Sequence, residues 1–92
     1  MKIERFEDIE AWKEGRGLVV DVYKLISHIK DFGFKDQIQR AAVSITSNIA
    51  EGFDRGSNKE FIQFLIFARG SASEVKSQAY NALDLGYINS KT

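Results

Sequence analysis

The chain has 92 residues, 43% of them apolar, and its 13 Lys/Arg balance 13 Asp/Glu to a formal charge of +0. That length allows one small domain over 1–92; no cysteine and a single histidine leave almost no material for disulfides or for zinc or haem ligation. Interspersed charge gives no basic stripe for nucleic acid, no apolar run reaches the ~18–20 residues that cross a bilayer, and Lys2 and Arg5 precede no apolar signal segment, so a cytoplasmic location is expected.

With no proline and few glycines, the chain favours long helices. The spacing predicts a first helix over about 7–28. Trp12, Leu18, Val19, Val22, Tyr23, Leu25, Ile26 and Ile29 project onto one broad face, with Glu10, Lys13, Glu14, Asp21 and Lys24 on the other. After a connection at 30–33, a second helix is predicted over about 34–51. Ile38, Ala42, Ile45 and Ile49 form its core edge; Gln37, Arg40, Ser44, Asn48 and Glu51 make a polar stripe about 80° wide. Gly52 is its expected stop. Ser57-Asn-Lys-Glu60 reads as a capping box opening a third helix over about 57–85, which Gly86 ends. Asn89 or Ser90 has the composition of another N-cap.

The third helix is unusually apolar. Phe61, Ile62, Phe64, Leu65, Ile66, Phe67 and Ala68 cover about 260° of its circumference, whereas an outer helix of a bundle needs a stripe of only ~100° or somewhat more. Two amphipathic neighbours bury two flanks and leave the rest. Each large side chain left in water forgoes about 1.5–3 kcal/mol, and a contiguous patch of them marks an interaction site. Phe61, Ile62, Phe64, Leu65, Ile66 and Phe67 are therefore expected to meet another copy or a further helix. Gly70, Ser71, Ala72 and Ser73 are small, mostly poor helix formers, a pattern that lets another backbone approach. Arg69 shares a sector with Ile62 and Leu65 and needs a partner, for which Glu51, Glu74 and Asn48 are candidates.

Phe6, Trp12 and Tyr23, the block QIQRAAVSITSNIAEG (37–52), Arg55-Gly-Ser57, Glu60-Phe61, Phe64-Leu65, Ala68-Arg-Gly-Ser71 with Glu74, and Leu85-Gly-Tyr-Ile88 together resemble one family over about 6–88. It is the bacterial 23S rRNA-intervening-sequence (S23) family. The resemblance implies an all-α, antiparallel up-and-down four-helix bundle assembling into homopentamers, with no enzymatic activity. The related accessory variability determinant of diversity-generating retroelements is a pentameric barrel that binds nucleic acid and a reverse transcriptase. By that analogy the partners would be further copies of the chain and RNA or a reverse-transcriptase-like protein. The chain departs from the family pattern in three ways. Thr46 stands where proline is common, which should leave the second helix less kinked. The loop before Phe34 is short and lacks the usual proline. The fourth helix is missing, and part of the apolar surface at Phe61–Phe67 would ordinarily lie under it.

Arg40, Ser44, Asn48, Glu51, Arg55, Arg69 and Glu74 are read as a polar network between helices, in which Asn48 and Glu51 satisfy Arg69 or Arg55; the competing reading is a ligand or RNA contact row. No catalytic, cofactor or metal site is expected. His28 has neither a second histidine nor a cysteine beside it, and Glu10 and Glu14 lack the Glu-x-x-His of di-iron bundles. Tyr80 and Tyr87 are read as packing residues. Gly52-Phe-Asp-Arg-Gly56 follows no strand and lacks Gly-Lys-Ser/Thr, so it is a connector rather than a phosphate loop. The expected function is a non-enzymatic, self-associating scaffold that contacts RNA or an RNA-handling protein; the alternative is a structural oligomer or protein–protein adaptor without nucleic acid.

Overall fold

The repeat Ile38, Ala42, Ile45, Ile49 becomes the spine of the molecule. The computed structural model describes residues 3–89. Among them are a 3-10 turn at Phe6–Asp8 and the helices α1 (Glu10–Ile26), α2 (Phe32–Asp54) and α3 (Asn58–Asp84), with no strand. The N-cap composition at Ser90 lies outside these residues.

Helix α2 buries Ile38, Ala41, Ala42, Ile45, Ile49 and Gly52; the first segment adds Val22, Ile26 and Ile29. From α3 only Ala68, Val75 and Ala82 are fully enclosed. Both α1 and α3 pack on α2, yet no Cα of α1 comes within 8 Å of one in α3. The three helices thus occupy three corners of a square in a body measuring 44 × 19 × 19 Å. Along the α2–α3 contact, Gly52 meets Phe64, Ser44 meets Ser71 and Gln37 meets Gln78. Numbers fall along α2 as they rise along α3. On the other side Gly15 faces Ile45 and Thr46, while Lys35 Nζ reaches the Ser27 carbonyl at 3.2 Å.

Several boundaries differ from the sequence reading, each for a local reason. The first segment is split. Asp8 N–H bonds to the Arg5 carbonyl at 3.1 Å and Ile9 N–H to that of Phe6 at 3.0 Å, giving a tight turn before α1 begins. The Phe6 and Trp12 rings then meet edge to face, 5.3 Å between centroids. Helix α2 starts two residues earlier than the periodicity indicates, because the Asp31 carboxylate accepts the Phe34 N–H at 3.2 Å as an N-cap.

Gly52 does not stop α2. It lies inside the helix, and a Cβ there would collide with the Phe64 side chain. Its role is close approach, which lets α3 cross tightly. The turn belongs instead to Gly56, whose φ of 86° only glycine adopts at no cost. Helix α2 runs unbroken through Thr46, whose hydroxyl donates to the Val43 carbonyl at 3.0 Å.

The third helix starts as its capping box requires: Glu60 N–H donates to Ser57 Oγ at 3.1 Å. Glu60 Oε1 accepts from the Ser57 hydroxyl rather than from a backbone amide. At the other end, Gly86 has φ 77°, Tyr87 N–H reaches the Ala82 carbonyl at 2.8 Å and Gly86 N–H that of Leu83 at 3.1 Å. This is a Schellman closure. No helix among the described residues is long and apolar enough to cross a membrane.

Candidate functional site

Two surfaces were candidates from the sequence, one polar and one apolar, and the fold treats them differently. On the polar side the inter-helix contacts are made by neutral groups. Ser71 Oγ–H donates to Ser44 Oγ at 2.9 Å, and Asn48 Nδ2 donates to the same oxygen at 2.9 Å and to the Ser44 carbonyl at 2.8 Å. A rung further along, Gln78 Nε2 donates to Gln37 Oε1 at 3.0 Å.

The charged members stay nearer home. Arg40 pairs with Asp36 one turn back at 2.8 Å. Arg55 pairs with Glu51 at 2.7 Å, approaches Glu60 at 3.6 Å, and lays its guanidinium over the Phe64 ring at 5.0 Å. The Glu51 carboxylate holds the Arg55 guanidinium above its ordinary pKa.

Arg69 and Glu74 take no part in a hydrogen bond or ion pair among the described residues. The expected pairing of Arg69 with Glu51, Glu74 or Asn48 does not form. Glu74 projects about 140° away around α3. Asn48 is already committed to Ser44, and Glu51 lies about 10 Å further along the axis than the Ser44–Ser71 rung. Arg69 instead lines the rim of a groove, opposite Glu14.

That groove runs between α1 and α3. Ile45 and Ile49 of α2 form its floor, Ala11, Gly15 and Leu18 one wall, and Leu65, Ala68 and Ala72 the other. It is apolar between one acidic and one basic rim. The six α3 residues expected at an interface do not share a single environment. Phe61, Phe64 and Leu65 are half-buried, Phe61 edge-on to Phe53 at 5.9 Å and Phe64 to Phe67 at 5.4 Å. Ile62, Ile66 and Phe67 remain 57%, 47% and 46% exposed. Ile62 and Ile66 project from the side of α3 opposite α2. Gly70 admits no close backbone within the chain, since a Cβ there would meet nothing within 4 Å.

A third cluster was not foreseen as a unit. Tyr87 O–H donates to Asp31 Oδ2 at 2.8 Å, its ring meets Phe34 at 5.4 Å, and its carbonyl accepts from His28 Nε2 at 2.7 Å. Tyr87 therefore packs, as expected, and also ties the end of α3 to the α1–α2 connection, whereas Tyr80, read as packing too, is 60% exposed. The Tyr87 hydroxyl and the Phe34 amide hold the Asp31 carboxyl below its usual range; in turn the Asp31 hydrogen bond raises the Tyr87 phenol. The sequence signal was an Asp ahead of a helix, readable as a cap but not as a tyrosine's acceptor. Tyr23, placed on the inner face of the first helix by periodicity, is 44% exposed. It lies at the edge of the α1–α2 contact, lining an open depression with Gln39, Arg40 and Val43 of α2.

Among the described residues no group of three His, Asp or Glu side chains is arranged to hold a metal ion. What the surface offers is apolar area with sparse charge at its edges, which suits packing against another helix. No curated protein matches the chain. The family model described as 23S rRNA-intervening sequence protein matches residues 7–92. With nearly its whole length matched, the chain belongs to the 23S rRNA-intervening sequence protein family.

Proposed function

We propose that the chain is a non-enzymatic, self-associating helical scaffold, built as an antiparallel helical bundle. One observation carries this reading: Ile62 and Ile66 stand in water on the side of α3 away from α2, beside a groove floored by Ile45 and Ile49. Leaving that much apolar surface uncovered forgoes several kcal/mol, at about 1.5–3 kcal/mol per large side chain. Covering it with a second copy recovers that energy. The cytoplasm is the proposed location, and five copies is the assembly that the family resemblance implies.

RNA or an RNA-handling protein, such as one resembling a reverse transcriptase, is the proposed further partner on the strength of the family alone. The balanced charge of 13 against 13 favours a second reading, a protein–protein adaptor without nucleic-acid contact. Sedimentation across a concentration series tests self-association: a species of 10.4 kDa at every concentration would end it. Filter binding to structured RNA across a salt series separates the two partner readings. Phosphate contacts require affinity to fall steeply as salt rises; absent or salt-insensitive binding favours the adaptor.

A further inference from the structure

Resting on the self-association and the five copies proposed above, we infer that copies meet head to tail, the outer seam between α1 and α2 of one chain receiving the outer flank of α3 of the next. A closed ring needs two different surfaces on each copy, one for each neighbour. The first is concave. Tyr23 of α1 and Gln39, Arg40 and Val43 of α2 line an open depression, and Val20 stands exposed about one turn from Tyr23. Val43 projects from the side of α2 opposite Gly52, the residue that α3 crosses, so this depression faces away from α3.

The second surface is convex. Phe67, Gly70 and Glu74 project within about 60° of one another on α3, with the exposed Ile66 beside them. They occupy the flank opposite Leu65 and Ala72, which line the groove toward α1. Neither surface borders that groove. Around the bundle the two face roughly a right angle apart, close to the ~108° between successive contacts in a ring of five.

Gly70 is explained by such a contact. Glycine weakens a helix relative to alanine, and within its own chain Gly70 gains nothing in exchange, since a Cβ there would meet no atom within 4 Å. Against the depression it lets the neighbouring helix approach closely, with Phe67 and Ile66 covered beside it.

Charge supports a second copy as the occupant. Arg16, on the seam, lies over the Trp12 ring at 5.6 Å and has no carboxylate partner among the described residues. Glu74, on the flank, has none either. A ring axis parallel to the helices preserves height. Ser71 stands level with Ser44, and Gly15 with Ile45, so residue 15 of α1 is about level with residue 70 of α3. Arg16 then comes within about 5 Å in height of Glu74 of the next copy, inside the reach of an arginine side chain.

Sedimentation velocity on the whole chain tests this with variants that each blunt one surface. Val43→Glu puts a carboxylate into the depression, opposite Glu74. Gly70→Gln fills the gap on α3 while improving the helix. Both positions are open in the single subunit, so far-UV dichroism should match the parent. Tyr23→Glu, at a second exposed position of the depression, repeats the Val43 test. The parent is expected at five times 10.4 kDa and each variant alone at one chain. Mixed in equal amounts, Val43→Glu and Gly70→Gln should stop at two chains. One retains a working flank and the other a working depression, and the pair they form has neither left. Arg16→Glu should weaken association by roughly ten-fold or more, and adding Glu74→Arg to the same chain should restore it. A parent that sediments as one chain at every concentration overturns this contact together with self-association. A parent that stops at two chains, a Val43→Glu or Gly70→Gln variant that assembles as the parent does, a mixture that stays at one chain, or a charge reversal without rescue overturns the head-to-tail contact and leaves self-association standing.

Discussion

Helices α2 and α3 are of similar length, 23 and 27 residues, but they spend their apolar side chains differently. In α2 the row Ile38, Ala42, Ile45, Ile49 is buried by the chain's own helices. In α3 the enclosed residues are small, while Ile62, Ile66 and Phe67 face outward. The cause is position. Helix α2 lies between two others, so a moderate stripe is covered from both flanks; α3 has α2 alone within its chain. How much of a helix's apolar width is covered thus depends on its neighbours, and among the described residues α3 has fewer of them than α2.

Substitutions can break this contrast. Ile38→Ala should cost about 2–5 kcal/mol in chemical denaturation, as for other fully enclosed aliphatic side chains. If the loss were below 1 kcal/mol on that scale, α2 would not be the spine. Gly52→Ala tests the α2–α3 crossing. Its new methyl meets Phe64, so the helices must separate, with an expected loss of about 1–3 kcal/mol. A neutral result would mean that the crossing is loose.

Ser71→Ala removes the hydroxyl bridge to Ser44 and should cost about 1 kcal/mol by the same measurement. At the clasp, the Asp31–Tyr87 bond should add stability only in a middle pH range. The carboxyl's pKa is depressed, so its contribution is lost as pH falls through the folded value, below the ordinary ~3.9. The phenol's is raised, so its contribution is lost as pH climbs through the folded value, above the ordinary ~10. The stability difference between the parent and Tyr87→Phe should be flat between those limits and shrink at both ends; a difference independent of pH would remove the bond's role. Smallest of all, Ile66→Ala should change the intrinsic stability of the dissociated subunit by within about 0.5 kcal/mol, measured at concentrations where single chains prevail. A loss there comparable to Ile38→Ala would show that α3 is covered within its own chain.

Much of the helical framework was legible before any coordinates. The Ser57–Glu60 box and the Gly86 stop rest on hydrogen bonds within one turn, and both ends formed where those residues indicate. Glycines were harder. Gly52 and Gly56 are four apart, and either could have ended α2; only the position of Phe64, twelve residues beyond Gly52, makes the first a close contact and the second a turn. Arg69 shows the same limit. Its sector placed it beside apolar residues, correctly as a lining group of the groove, but its expected partners belong to other sectors or levels. The clasp was invisible for a related reason, since Asp31 and Tyr87 are 56 positions apart.

Local periodicity and capping chemistry determined from the sequence alone that this protein is helical, roughly where its helices run, and that α3 is apolar over much of its circumference. Those properties depend on residues three or four apart, and the chain writes them directly. The tertiary structure decided that α1 and α3 both lean on α2 and not on each other, that Gly52 is approached and Gly70 is not, and that Glu14 faces Arg69 across an open groove. Such outcomes depend on which rows of side chains meet when distant helices pack, a choice made by the summed fit of whole faces rather than by any single motif.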